Sequence, residues 1–249
     1  MDSFRFVHAA DLHIDSPFAG VGDADNRVAT RLREATFEAF QNLVDLCINQ
    51  KADFLVIAGD VYDGADRSVR AQLRFRDGLS KLAEAGIQSF VVHGNHDPLD
   101  GWQSSISWPE GVHIFGATPE WKNFEKNGEI VAAIQGISYP TREVTDNLAT
   151  QFTPPESENL FAIGLLHANV GANSAHPNYA PCTVEDLSES GIDYWALGHV
   201  HTRQTLKRAA PVIAYPGNTQ GRHLNETGAR GALVVDVDAS GASRSEFAT

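Results

Sequence analysis

Cysteine is almost absent from this chain: Cys47 and Cys182 are the two it has among 249 residues. Two thiols cannot build a disulfide framework, so the fold is expected to rest on an apolar core, in a reducing compartment. Long hydrophobic runs are missing too. No apolar stretch approaches the ~20 residues that cross a bilayer. The start, Met1-Asp2-Ser3-Phe4-Arg5, has neither the basic region nor the apolar stretch of a secretory signal. A cytoplasmic protein with no membrane partner is the expectation. Basic residues are in deficit: 19 Lys and Arg against 32 Asp and Glu leave a net charge of −13. That balance argues against a broad cationic surface for nucleic acid, although charge can be local and bound cations offset carboxylates. Arg67, Arg70, Arg74 and Arg76 form such a local run and read as an exposed helix face. Repeats and low-complexity tracts are absent as well.

What is present supports a substantial core. Hydrophobic residues make up 42% of the chain, and its length suits one domain spanning residues 1–249. Apolar runs at Phe4 to His8, Phe54 to Ala58 and Ile87 to Val92 read as buried strands. Between them, Asp25 to Gln50 carries Val28, Leu32, Phe37, Phe40, Leu43, Val44 and Cys47 at roughly helical spacing, and Ser68 to Ala85 reads as a second helix capped by Ser68 and stopped by Gly86. Strand and helix in alternation predict parallel strands, with ligands gathered beyond their carboxyl ends. Further strands are predicted at Val112 to Phe115, Ile130 to Ile137, Leu160 to Leu166, Tyr194 to Leu197, Val212 to Tyr215 and Ala232 to Val237. Ser138 to Glu158, with three prolines, is the weakest stretch for regular structure. Ala239 to Thr249 reads as a final turn plus strand or a frayed tail. The fold class predicted is α/β, with two packed mixed sheets between helical layers.

Five polar clusters punctuate this pattern: Asp11-Leu12-His13, Gly59-Asp60-Val61-Tyr62-Asp63, Gly94-Asn95-His96-Asp97, Leu166-His167-Ala168 and Gly198-His199-Val200-His201. Four follow an apolar run directly, and the fifth closes one. Asp, Asn and His together suit manganese, iron or zinc. Their number is enough for two ions, and two ions point to phosphoryl-transfer chemistry. Asp11 and His13 flank Leu12, so both can point from one extended segment toward one site. His199 and His201 repeat the spacing, with Gly198 easing the turn. Asp60, after Gly59 at a strand tip, is suited to bridging two ions. Asn95 offers a neutral oxygen, which leaves His96 for proton transfer. His8, His93 and His176 read as structural or loop residues, and Trp102, Trp108, Trp121 and Trp195 as core or interface.

The order D-x-H, G-D-x-x-D, G-N-H-D, H and G-H-x-H resembles the calcineurin-like metallophosphoesterase superfamily. Within it, His8 to His13, Gly59 to Asp63 and the run Tyr215-Pro216-Gly217-Asn218-Thr219-Gln220-Gly221-Arg222-His223 look most like SbcD-type DNA repair nucleases, in a YhaO-like bacterial branch. The resemblance implies a four-layer sandwich and a two-metal phosphodiesterase, most plainly a DNA exonuclease or endonuclease with manganese as the activating metal. It implies that Asp11, His13, Asp60 and His201 hold the first ion, and Asp60, Asn95, His167 and His199 the second. A water or hydroxide bridging the two would be the nucleophile. His96 would serve the scissile phosphate, oriented by Asp97, while Asp63 would support the site. Arg222 and His223 are candidate substrate contacts. DNA, an ATPase subunit and a second copy of the chain are the partners implied. Related nucleases carry a capping domain after the phosphoesterase domain, and here it is expected to be absent. Two rival readings remain: a hydrolase of cyclic nucleotides or other small phosphoesters, and a non-catalytic scaffold of the same fold.

Overall fold

The computed structural model describes residues 1–18, 26–64, 68–101, 106–157, 159–171 and 177–249, with the backbone alone at 26–29. Asp25, Arg67, Trp102 and His176 therefore lie outside the described residues.

Strand β1 (Phe4–Ala9), helix α1 (Asn26–Asn49), β2 (Phe54–Ala58), α2 (Val69–Glu84) and β3 (Gln88–Val92) open the chain in the predicted alternation. Their spans fall within a residue or so of the sequence expectation. The reason is local: each strand is built on a short apolar run that buries both faces, as parallel strands covered on both sides require, with Arg5 and Gln88 the half-buried exceptions. Phe4, Phe6, Phe54, Val56, Phe90 and Val92 point to one side, and Val7, Leu55, Ile57 and Val91 to the other. Phe37, Phe40, Leu43, Val44 and Cys47 of α1, with Phe75, Leu79 and Leu82 of α2, cover the second side. Ser68 caps α2 by accepting the Ala71 N–H at 3.0 Å, and Gly86 follows its end at φ +78°, the left-handed stop that favours glycine.

Mostly strands and little helix follow: β4 (Val112–Ile114), β5 (Glu120–Lys126), β6 (Glu129–Ile137), a 3-10 turn (Leu148–Gln151), β7 (Phe161–His167), α3 (Val184–Ser188), β8 (Tyr194–Gly198), β9 (Gln204–Lys207), β10 (Val212–Tyr215) and β11 (Ala232–Val237). A last strand, β12 (Ser243–Ala248), pairs with β11, so the final residues form a turn and strand and are not frayed. The strands make two six-stranded mixed sheets, ordered β12-β11-β1-β2-β3-β4 and β5-β6-β7-β8-β10-β9. In the first, β1 to β4 run parallel. In the second, β6, β7, β8 and β10 do.

The two sheets face each other across a core of Phe6, Phe54, Phe90, Ile163, Leu165 and Tyr194. The Phe6 and Phe54 rings stack with centroids 5.2 Å apart, and the Tyr194 ring meets Phe6 edge-on at 5.1 Å. His8 crosses between the sheets, its Nδ1 3.1 Å from the Tyr194 hydroxyl and its Nε2 3.1 Å from the Leu197 carbonyl. Burial lowers its pKa to about 3, so the ring is a neutral structural strut. Outside the second sheet lies the thinnest layer: α3, the 3-10 turn and intervening loops cover Trp195, Leu166 and Ile213. The predicted α/β sandwich of two sheets between helical layers is thus present, with α1 and α2 forming the thick outer layer.

Candidate metal centre

Parallel strands from both sheets end along one edge. β1, β2 and β3 deliver Asp11, Asp60 and Asn95 from the first sheet, while β7 and β8 deliver His167 and His199 from the second. Asp11, His13, Asp60, Asn95, His167 and His199 are all buried. Three groups of acidic and imidazole side chains come close enough to share an ion: Asp11, His13 and His201; Asp11, Asp60 and His167; and His13, Asp63 and His96.

The loops that carry them are strained. Asp11, His13, Asp60 and His199 have φ values of +53°, +44°, +51° and +98°. Such left-handed backbone at non-glycine residues costs about 1–3 kcal/mol each and concentrates at functional sites. The D-x-H segment is therefore not extended, as its spacing suggested. Asp11 and His13 reach one site because both turn left-handed while Leu12 packs into the core beside α1 and α2. Asp11 N–H donates to the Gly59 carbonyl and His13 N–H to the Asp60 carbonyl, each at 3.0 Å, which ties this loop to the next. Gly198 also differs from expectation. The left-handed residue of its turn is His199, and glycine is needed at 198 because a Cβ there would overlap the Ala58 carbonyl oxygen of the facing sheet.

Ring nitrogens are aimed by what lies behind them. His167 Nδ1 donates to the Ala58 carbonyl at 2.8 Å, His199 Nε2 to the Pro177 carbonyl at 2.8 Å, and His201 Nδ1 to Glu226 Oε1 at 2.6 Å. These oxygens only accept, so in the neutral form of each ring the other nitrogen presents its lone pair to the interior. There His167 Nε2 lies 3.1 Å from Asn95 Oδ1 and 3.3 Å from Asp60 Oδ2. His199 Nδ1 is 3.2 Å from Asn95 Oδ1, and His201 Nε2 is 3.1 Å from His13 Nε2. Acceptors facing acceptors repel unless a cation lies among them. Atoms that share one ion at roughly 2.1 Å sit about 3 Å apart, the spacing seen here. The donor set therefore fits divalent metal. The same field acts on protons: burial lowers the His167 pKa, but Asp60 and Asp11 outweigh it and raise it to about 9. Asp60 is pushed up by burial and held well below the carboxylate range by His167, His13 and His96.

Around this set, two carboxylates have roles that the sequence pattern did not assign. His96 Nδ1 meets Asp63 Oδ1 at 2.6 Å, so the carboxylate placed against the His96 ring is Asp63, where Asp97 was expected. Asp97 turns away from that ring and ties its own loop to the one after β2. Its Oδ2 accepts the Val61 N–H at 2.8 Å and faces His93 Nδ1 at 2.9 Å, and its Oδ1 accepts the Gly94 N–H at 2.7 Å. Glu226 was missed altogether. It holds His201 through Oε1 and accepts Asn218 Nδ2 at 2.8 Å and the Arg222 N–H at 2.7 Å through Oε2. Its pKa is depressed to about 2, where burial is outweighed by His201 and these donors. Its only signal in the chain was an acid in the loop after Tyr215. Removing it as Glu226→Gln should weaken metal affinity about 10- to 100-fold, the range for such supporting contacts. Titration calorimetry with manganese checks this.

Arg222 sits against Asp63, with Nη2 2.7 Å from Oδ2, and its Nε donates to Ser16 Oγ at 3.0 Å. His223 points elsewhere: its Nδ1 accepts the Asn225 N–H, and it lines a separate cavity of about 540 Å³ between α1 and this loop. Trp195 is fully buried, and Trp108 and Trp121 pack on the cores as expected. Arg70 and Arg74 are exposed on α2.

The family profile of calcineurin-like phosphoesterases matches residues 4–203, which takes in all five clusters. This chain belongs to that family. As a metallophosphoesterase it is a hydrolase of a family that works with a dinuclear metal site. It is 44% identical over 238 residues to a Bacillus subtilis protein named uncharacterized metallophosphoesterase YhaO, covering 95% of this chain and 58% of that one. It is 25% identical to a subunit of the nuclease SbcCD from the same organism, covering 94% of this chain and 66% of the relative. It is 27% identical to the DNA double-strand break repair protein Mre11 of Thermoplasma acidophilum, covering 81% and 56%. The phosphoesterase thus spans less than two thirds of the length of these relatives. Its fold is shared with a dimetal phosphatase from Danio rerio, with a TM-score of 0.55 at 13% identity, covering 94% of this chain and 93% of that one. No helix among the described residues is long and apolar enough to cross a membrane.

Proposed function

We propose that residues 1–249 form one phosphoesterase domain that hydrolyses phosphodiesters, with DNA as its substrate. Asp11, His13, Asp60 and His201 would hold one divalent ion, and Asp60, Asn95, His167 and His199 the second. Asp60 would be the shared ligand, since it lies 3.3 Å from His167 and 3.8 Å from His13. The observation that carries this reading is the convergence of inward lone pairs at one strand edge. Divalent ions bound there would lower the pKa of water and neutralise charge on the phosphoryl group. The chain's own residues do the rest. The buried ligands exclude bulk water from one side of the site. His96, partly exposed at the rim, holds its Nδ1–H against Asp63, so that in the doubly protonated ring the Nε2–H is the one it can give to the leaving oxygen. Asp97 fixes the loop that presents Asn95 and His96.

Manganese suits the mixed oxygen and nitrogen donors, as do iron and zinc. The nuclease reading draws on the similarity to the SbcCD component and to Mre11. The former is named as a subunit of its nuclease, which supports a partner for this chain as well. An ATPase as that partner, a homodimer and a cytoplasmic setting complete the proposal. One observation favours a second reading: a net charge of −13 gives little general attraction for DNA, which suits a small phosphodiester.

Linear double-stranded DNA and bis-p-nitrophenyl phosphate, each incubated with manganese, separate the two. DNA degradation abolished by His96→Ala supports the nuclease. Cleavage of the small diester with intact DNA transfers the function to small substrates. His96→Ala should reduce diester turnover about 10²- to 10⁴-fold, the usual range for a general acid, and leave the metal content unchanged.

A further inference from the structure

The segment from Gly217 to Arg230 reaches the site at two places. Glu226 stands behind His201, and four residues earlier Arg222 stands behind Asp63. The Arg222 contact is built like an interior one. Its guanidinium and the Asp63 carboxylate are each 17% exposed. Asp63 receives three donors: His96 Nδ1 at 2.6 Å on Oδ1, Arg222 Nη2 at 2.7 Å on Oδ2, and Ser16 Oγ at 2.9 Å, also on Oδ2. Arg222 Nε closes the triangle on Ser16 Oγ at 3.0 Å. Both carboxylate oxygens are thereby fixed, and with them the direction from which the His96 ring is held.

We propose that Arg222 is a positioning residue for His96, acting through Asp63. It makes no contact with substrate. A carboxylate bound on one oxygen alone can rotate about its Cβ–Cγ bond and release the ring. Held by a guanidinium and a hydroxyl on Oδ2, it presents Oδ1 to Nδ1 in one orientation. That keeps one proton on Nδ1, so the second proton the ring carries as an acid sits on Nε2, from which it can pass to the leaving oxygen of a phosphodiester. A charged fork is suited to this because it bonds the carboxylate and a second oxygen at once. The loop after β10 thus sets the reactive face of a residue that follows β3 in the other sheet. The inference rests on the acid role given to His96 above, and its test keeps the two apart.

Arg222→Gln, Arg222→Lys, Asp63→Asn and the double variant Arg222→Gln/Asp63→Asn would be compared with the parent by two readouts. The first is histidine ring-nitrogen NMR of the metal-free protein. With the ring neutral, the parent should show His96 as a single Nδ1–H tautomer, and Arg222→Gln should show a mixture of tautomers. The second is hydrolysis of bis-p-nitrophenyl phosphate with manganese. Arg222→Gln should lower kcat about 10- to 100-fold with KM nearly unchanged. Arg222→Lys should recover part of that loss. Adding Arg222→Gln to Asp63→Asn should change kcat by less than about twofold, because residues acting through one group are not additive. An unchanged tautomer overturns the proposal. So does a raised KM with unchanged kcat, which would make Arg222 a substrate contact, or full additivity with Asp63→Asn. If His96→Ala leaves hydrolysis intact, the acid role fails, while the tautomer still decides whether Arg222 orients the ring.

Discussion

Asp60→Asn should lower hydrolysis of bis-p-nitrophenyl phosphate by about three orders of magnitude or more, equivalent to roughly 4 kcal/mol of barrier. The expectation follows from position. Asp60 is the one carboxylate that faces His167 at 3.3 Å and His13 at 3.8 Å through Oδ2, while Oδ1 accepts the His96 N–H at 2.9 Å. An amide of the same shape preserves that backbone contact, so the fold should survive. Its NH2 group would bring protons into a space lined with lone pairs, and the negative charge shared by the two ions would be gone. Metal content should fall from two ions per chain to one or none, measured by elemental analysis alongside turnover. Two retained ions with activity within about tenfold of the parent would show that Asp60 is not the bridge.

Gly198→Ala should be the most damaging substitution for the fold near the site. The residue ends β8 where the second sheet comes closest to β2 of the first. A Cβ there would overlap the Ala58 carbonyl oxygen and press on His167 Nδ1, which donates to that same oxygen. Backbone cannot yield as a side chain tip does, so the sheets must part. Overpacking of this kind costs about 3 kcal/mol or somewhat more, which lowers Tm by about 6–12 °C in a chain of this size. Metal binding should weaken with it, since His167 loses the carbonyl that aims Nε2. Calorimetric melting with and without manganese tests both effects. A Tm within a degree of the parent would mean that the sheets are less closely apposed than described.

The central strands were legible in the sequence because each is an apolar run with both faces buried. The edge strands of the second sheet were not. β5 reads Glu-Trp-Lys-Asn-Phe-Glu-Lys and buries only Phe124 fully; its pairing with β6 depends on backbone bonds and on the Asn127-Gly128 turn. β9 is likewise a polar edge strand. Helix α3 is short, yet it carries a readable sign: Thr183 and Asp186 form a reciprocal capping box. At the site, the five clusters were legible because each falls where a strand ends. Two things were not. Adjacency in sequence gave His96 to Asp97, whereas neighbouring side chains in a loop diverge, and the partner came from Asp63. Glu226 lies 25 residues from the ring it supports, and only the folded chain brings them together.

Anomalous diffraction from crystals grown with manganese tests the central claim most directly. The expected result is two peaks about 3.5–4 Å apart, flanking the Asp60 carboxylate. One should lie by Asp11, His13 and His201, the other by Asn95, His167 and His199. A single peak, or peaks away from Asp60, would contradict a dinuclear centre built from these residues.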